Sequence, residues 1–343
     1  RGLGDVYKRQ LWGVTDERCA DHVAGPGHPE RPDRLAAAAD GIRQAELGEA
    51  VATMAPRPAT DDALARVHTR DHIAHIRGVA ELGGGRLDPD TAMNEASLEA
   101  ALLAAGSVLT AAEELATRPD LESAYCIVRP PGHHATAGQS MGFCLFNSIA
   151  VAAAARVAAG ERVAIVDVDA HHGNGTQDIY YASPDVLFAS IHQWPLYPGS
   201  GWLSEQGTGA GTGTTINLPV PPGATGDVAR AGIDEVIGPA VERFAPDWLF
   251  ISAGYDGHRA DPITDLGYSS GDLADMVTTL RRLAPARRTV VLLEGGYDLE
   301  AVRNCSAAVA AGLLDHDHRP EAATSGGPGR EIVEQARHLH RPG

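Results

Sequence analysis

"VAIVDVDAHHGNGT", residues 163–176, starts as an apolar run and ends in Asp167, Asp169, His171 and His172. Asp167, Asp169 and His171 alternate with Val168 and Ala170, and a period of two puts their side chains on one side. Carboxylate and imidazole together suit a divalent metal of borderline softness: Zn²⁺, or Fe²⁺, Co²⁺ or Mn²⁺. A D-x-H pair joined by one more Asp leaves a coordination position for water, the pattern of a catalytic centre and not of a structural one. Taken alone, the two aspartates read equally well as caps for the next element, with His171 bonded to backbone. Three further loops decide the matter. "RPPGHH" supplies His133 and His134; "YDGHRADP" supplies Asp256, His258 and Asp261; "EGGY" presents Tyr297 on a Gly-Gly turn. By spacing, Asp256 and Asp261 are equally eligible as the third ligand.

These residues describe a reaction. A metal-bound water has its pKa lowered toward neutrality. It still needs a proton acceptor, and His133 or His134 can serve. Attack on a carbonyl makes an oxyanion, to which Tyr297 can donate its phenol. The sum is metal-assisted hydrolysis of an amide or ester. Two other patterns are set aside. His68, His72 and His75 have helical spacing but lack the acidic base of H-E-x-x-H, so they read as packing or capping residues. "GSGWLSEQGTGAGTG" (199–213) lacks G-x-G-x-x-G spacing and precedes a strand, so it reads as a flexible surface loop.

The elements that must position this chemistry are short apolar runs at 123–128, 163–168, 185–191, 214–220, 247–254 and 289–296. Near-continuous apolarity favours parallel strands buried on both faces. Helical patterns lie at 28–47, 68–82, 95–117, 147–160, 227–243 and 270–284. The alternation predicts an α/β fold: a single domain with an open, mainly parallel sheet flanked by helices. In such sheets ligands bind beyond the carboxyl ends of the strands, where four of these runs deliver His, Asp and Tyr.

Composition bounds the rest. With 343 residues, 43% of them hydrophobic, one α/β domain is sufficient. Residues 1–10, "RGLGDVYKRQ", fit nothing downstream and read as a non-native segment. Residues 11–314 form the catalytic domain, and 315–343 a linker and C-terminal helix packed on it. The chain has no run of 18 apolar residues and no signal-like start, so no membrane span and a cytoplasmic location are expected. Forty-five acidic against 28 basic residues, a net charge of −17, exclude direct nucleic-acid binding through a basic face. Cys19, Cys126, Cys144 and Cys305 form no C-x-x-C pair and read as free buried thiols.

"HPERPDRL", "RPPGHHA", "MGFCLFNSIAVAA", "VDVDAHHGNGTQ", "SIHQWPLYPGSG", "SAGYDGHRADP" and "LLEGGYDL" occur in this order over residues 28–298. Together they resemble the histone deacetylase family, within the arginase–deacetylase fold. "HHGNGTQ" and "EGGY" look like its class II branch and bacterial histone deacetylase-like amidohydrolases. The resemblance implies a zinc-dependent amidohydrolase that removes acetyl or other acyl groups from lysine side chains. It implies one Zn²⁺, with Fe²⁺ or Co²⁺ as substitutes, held by Asp169, His171 and Asp261. His133 and His134 would be the tandem histidines, with His134 the general base and Asp167 bonded to His133. Asn174 would stand behind His134 where class I members carry Asp, which makes His134 less basic. Tyr297 would polarise the scissile carbonyl. Gly142, Phe143 and Tyr197 would line a narrow acyl-lysine channel, with Asp90 holding the substrate backbone at the rim. A structural K⁺ would lie near Asp167, Asp169, His171, Ser190 and Ile191.

The substrate implied is an acyl-lysine protein or an acetylated small amine. Acetylpolyamine amidohydrolases share the chemistry but tend to carry a carboxylate gatekeeper, whereas Ile263 follows Asp261-Pro262 here. Ureohydrolases of the same fold need two metals, and Gly173 takes the last place of their D-x-H-x-D. A non-catalytic acyl-lysine-binding module would lack the Tyr or a histidine, and this chain retains all of them.

Overall fold

The computed structural model describes residues 10–341. Its centre is an eight-stranded sheet in the order β2-β1-β5-β10-β9-β6-β7-β8, and every pairing in it is parallel. The strands are β1 (Gln10–Val14), β2 (Val51–Met54), β5 (Leu121–Cys126), β6 (Val163–Asp167), β7 (Val186–Gln193), β8 (Thr215–Val220), β9 (Trp248–Ala253) and β10 (Thr289–Leu293). A two-stranded antiparallel hairpin, β3 (Gly84–Arg86) with β4 (Ala92–Asn94), stands apart. β6, β7, β8, β9 and β10 are buried at every position. Helices on both faces leave these strands no solvated side, hence runs such as "VAIV" and "TVVLL" in place of alternation.

The helices are α1 (Asp33–Gln44), α2 (Asp61–Leu64), α3 (Arg70–Glu81), α4 (Ser97–Thr117), α5 (Ser148–Val157), α6 (Asn174–Tyr180), α7 (Gly226–Gly232), α8 (Gly238–Phe244), α9 (Ser270–Arg281), α10 (Leu299–Leu313) and α11 (Arg330–Leu339). Five of the eleven starts follow N-cap chemistry: Thr60, Thr69, Asn147, Ser269 and Asp298 each accept a first-turn N–H. By length and composition alone α4 is apolar enough to cross a membrane, but it is a mostly buried core helix packed on α5 and β5. α11 buries Val333 and Ala336 and packs on β8 and α7.

Several elements differ from expectation. β1, β2, the β3–β4 hairpin and α10 were not foreseen. The strands among them are three to five residues long, too short for a periodic signal. Residues 1–9 of the segment read as non-native lie outside the described residues; its last residue, Gln10, opens β1 beside Leu121. The helix expected over 227–243 is interrupted by a π-helical stretch, Ile233–Ile237, between α7 and α8. The 199–213 loop is not a loose one. Glu205 accepts from the N–H groups of Gly201 and Trp202 at 2.9 and 2.7 Å, and Gly201 O is 3.0 Å from His192 Nε2. The four cysteines are free and buried.

Candidate active site

Four neighbouring strands, β5, β10, β9 and β6, end at one edge of the sheet, and their following loops carry the site. The loop after β5 brings His133 and His134. Glu294, just past β10, pins that loop: its Oε2 accepts from the N–H of Gly132 at 2.7 Å and of His133 at 3.2 Å. Its Oε1 accepts from Ser252 Oγ at 3.0 Å, so one carboxylate ties three strand ends together.

Each histidine has a distinct partner. His133 Nδ1 lies 2.8 Å from Asp167 Oδ2. Burial works against charge on His133, but Asp167 and Asp169 outweigh it and hold its pKa well above the usual value. His134 Nδ1 lies 2.7 Å from Asn174 Oδ1, at the start of α6. With the amide oxygen accepting, the proton is on Nδ1 and the Nε2 lone pair is left free. Burial, then the charges of His133 and His171, push the His134 pKa well down, so the ring stays neutral. One ring is thus kept charged and its neighbour neutral, with centroids 4.0 Å apart.

Beside them lies a cluster of side chains that could hold a metal ion. One donor atom from each of Asp169, His171 and Asp256 lies within 4.8 Å of the others, and all three residues are buried. His171 Nδ1 is 2.9 Å from Asp256 Oδ2 and 3.2 Å from Asp169 Oδ1. Asp169 is oriented by its acceptance from Gly295 N, and Asp256 by acceptance from Ala170 N, at 2.8 and 2.9 Å. The tight cluster therefore uses Asp256 where the resemblance implies Asp261. Asp261 turns its oxygens to the N–H groups of Ile263 (3.1 Å) and Tyr297 (2.7 Å). The donor set fits a divalent cation. Burial, and then neighbouring carboxylate charge, raise the pKa of Asp256, and that of Asp261 to about 7. Burial raises Glu294 to about 7 as well. The pocket concentrates more carboxylates than its own side chains neutralise, and a bound cation removes that penalty.

Tyr297, Phe143, Gly142, Tyr197, Ile263 and Asp90 line one cavity of about 190 Å³, joined by His134 and His171. Burial raises the Tyr297 pKa well above its usual value, so the phenol keeps its proton and can donate. Phe143 and Tyr297 meet edge to face at 5.8 Å, and Tyr197 meets His134 at 5.1 Å. Gly142 has φ +56°, and a Cβ there would enter the His134 ring. Asp90 has a role the sequence did not suggest: its Oδ1 accepts from Gly142 N at 3.2 Å, while Thr91 Oγ1 accepts from Phe143 N at 3.0 Å. The β3–β4 hairpin thereby buttresses the channel wall. Ser190 pairs with Asp167 in the β6–β7 register, and Ile191 follows it.

Three residues escaped the sequence reading of the site. Glu294 is one. Arg34 is fully buried, donates to the carbonyls of Gly296 and Glu294, and places its guanidinium 4.9 Å from the Tyr297 ring centroid. Glu30, also buried, takes a fork of two 2.6 Å bonds from Arg129 and one of 2.9 Å from Arg34. Their signal was the charge-dense "HPERPDRL", which by composition alone reads as solvated surface. His68 and His72, as expected, serve structure: His68 Nδ1 meets Thr136 O at 3.0 Å and His72 Nε2 meets Leu145 O at 3.0 Å.

Residues 28–313 match the histone deacetylase domain. A "Probable deacetylase" of Archaeoglobus fulgidus is 40% identical over 293 residues, 84% of this chain and 81% of that protein. A "Histone deacetylase-like amidohydrolase" of Pseudomonas aeruginosa is 34% identical over 317 residues, 86% of this chain and 83% of that one. The crystal structure of the HDA15 HD domain superposes with a TM-score of 0.89 at 34% identity, covering 97% of this chain and 94% of that one. The chain belongs to the histone deacetylase family, and its fold is the arginase–deacetylase fold of that family.

Proposed function

We propose that this chain hydrolyses the acyl amide of a lysine side chain, using one divalent ion, with zinc the best match to the donors. The observation that carries the reading is a single one. A neutral His134, a protonated Tyr297 and His171 line one narrow cavity with aromatic walls, and His171 joins it to the Asp169–His171–Asp256 cluster. Asp169 and His171 would hold the ion together with a carboxylate from the Asp256–Asp261 loop. When bound, such an ion polarises a carbonyl and lowers the pKa of a water.

The chain's own groups supply the rest. His134 Nε2 takes the proton of the attacking water, and Tyr297 donates its phenol hydrogen to the carbonyl oxygen as charge develops there. The water oxygen joins the acyl carbon, the C–N bond breaks, and the departing nitrogen receives the proton that His134 took from the water. His133, held charged by Asp167, is the nearby cation that stabilises negative charge. Phe143 and Tyr197 flank the methylenes of the substrate, and Ile263 gives the cavity an apolar wall. A K⁺ ion bound through the backbone around Asp167, Asp169, His171, Ser190 and Ile191 belongs to the same reading.

The test is a deacylation screen of the purified protein against acetyl-lysine peptides and acetylated polyamines, with metal content measured on the same sample. We expect about one divalent ion per chain, loss of turnover on chelation and its return with Zn²⁺. Turnover that survives complete removal of metal would overturn the reading. A preference for polyamines would transfer the substrate assignment while leaving the chemistry standing.

A further inference from the structure

His258 is a chemistry-bearing residue that the reaction above does not use. It lies between Asp256 and Asp261, is buried, and organises the turn that carries both. Its N–H donates to Tyr255 O at 3.1 Å, and its carbonyl accepts from Asp261 N at 2.8 Å. Its ring Nδ1 accepts from Ala260 N at 3.2 Å. A neutral imidazole that accepts on Nδ1 must carry its hydrogen on Nε2, and a buried N–H needs an acceptor. That acceptor is Glu321, whose Oε2 lies 2.6 Å from His258 Nε2.

Glu321 lies beyond residue 313, where the match to the deacetylase domain ends. It is nevertheless closely fitted. The same Oε2 accepts from Ser270 N at 3.0 Å, and Oε1 accepts from the exposed Arg259 at 2.6 Å. Next to it, Ala322 O accepts from Ser269 Oγ at 2.8 Å, and Thr324 N donates to Asp272 at 3.0 Å. A Cβ on Gly271 would run into the Glu321 carbonyl, so the α9 start and this segment are in direct contact.

We propose that Glu321 is a positioning residue: by fixing the ring of His258, the segment after α10 holds the Tyr255–Asp261 turn, and so fixes the backbone that carries both candidate third carboxylates, Asp256 and Asp261. The consequence for Tyr297 is direct, because its N–H donates to Asp261. Removal of an outer partner of a ligand-bearing turn commonly costs ten- to a hundredfold in metal affinity or activity. The proposal rests on the metal-dependent reading above.

The experiment uses the full chain. Zn²⁺ affinity, measured by competition with a chromophoric chelator, and kcat and KM on an acetyl-lysine peptide are compared for wild type, Glu321→Ala, Glu321→Gln and Arg259→Ala. Thermal unfolding shows whether each variant is folded. Glu321→Ala should bind Zn²⁺ about tenfold more weakly and lose roughly tenfold in kcat, with KM little changed. Glu321→Gln should restore both to within about threefold, because its amide oxygen can take both the His258 and Ser270 hydrogens while its NH₂ faces Arg259. Arg259→Ala should match wild type, since an exposed ion pair contributes little. Zn²⁺ affinity unchanged in a folded Glu321→Ala, or a Gln variant as weak as Ala, would overturn the proposal. A wild type that binds Zn²⁺ but turns over neither acyl-lysine nor acetylpolyamine would instead overturn the function, and the affinity series would still decide the role of Glu321.

Discussion

At the scale of residues, two side chains carry sharp consequences. Tyr297 is buried, protonated and anchored by Asp261 through its own N–H. Tyr297→Phe removes one hydrogen-bond donor and no bulk. It should lower kcat by roughly 10²–10³, the usual effect of losing an oxyanion donor, while metal content and thermal midpoint stay at wild-type values. Turnover near wild type on an acetyl-lysine amide would show that the phenol has no part in the chemistry. The second is Ile263, at the cavity wall. A secondary ammonium beside an isoleucine is poorly compensated, so wild type should favour acetyl-lysine peptides over N8-acetylspermidine in kcat/KM. Ile263→Glu should move that ratio toward the polyamine. The gain should shrink at high ionic strength if the mouth is wet, which a two-substrate, two-salt comparison would reveal.

Elements matter because the site has no continuous piece of chain. β5, β10, β9 and β6 are neighbours only through crossovers, and Glu294, Asp169 and Asp256 lace their ends together. The Gly142–Phe143 turn is tightly constrained, with both residues in the left-handed region, φ +56° and +68°. Gly142→Ala asks an L residue to adopt that conformation, a cost of about 1–2 kcal/mol, and points a methyl group at the His134 ring. The variant should melt lower and lose more than about tenfold in kcat through a displaced base; calorimetry beside steady-state kinetics reads both effects. A variant with wild-type kcat would show that His134 tolerates displacement by the turn.

The whole molecule adds a pH dependence that has nothing to do with turnover. His68 is buried near α3, with Nδ1 on Thr136 O and Nε2 accepting from Asn147 N at 2.9 Å. Burial, reinforced by His72, lowers its pKa from 6.5 to about 4. The unfolded chain then binds a proton that the folded chain refuses between those values. Stability contributed by His68 is complete above about pH 6.5 and falls away as pH drops toward 4, by up to about 3 kcal/mol. Urea unfolding at steps across that window should show the decline, and His68→Gln, whatever its absolute stability, should show a shallower one. A slope unchanged by the substitution would assign the acid sensitivity to other groups.

The chemistry of the site was written in the chain as residue types at fixed short spacings. Asp-x-Asp-x-His after an apolar run, tandem histidines after a Pro-Pro-Gly turn and a tyrosine on Gly-Gly are the patterns behind the expectation of metal-assisted hydrolysis, and the fold brings His134, His171 and Tyr297 to one cavity. The apolar runs likewise name a buried parallel sheet, because a strand covered on both faces has no polar alternation to show. What the sequence could not order was contact between segments distant along it. Asp256 and Asp261 are five residues apart and chemically alike; only the packing of β9 against β6 brings Asp256 to His171 Nδ1 and turns Asp261 toward Tyr297 N–H. "HPERPDRL" looks solvated until α1 folds under the Gly295–Gly296 turn and buries Arg34 and Glu30 as a compensated pair. Glu321 lies 63 residues from His258, and no periodicity links them. Local pattern encodes which groups are present and which face is apolar. Which buried donor meets which acceptor is decided when the sheet closes, since each must then find a partner or leave a charge unsatisfied in the interior.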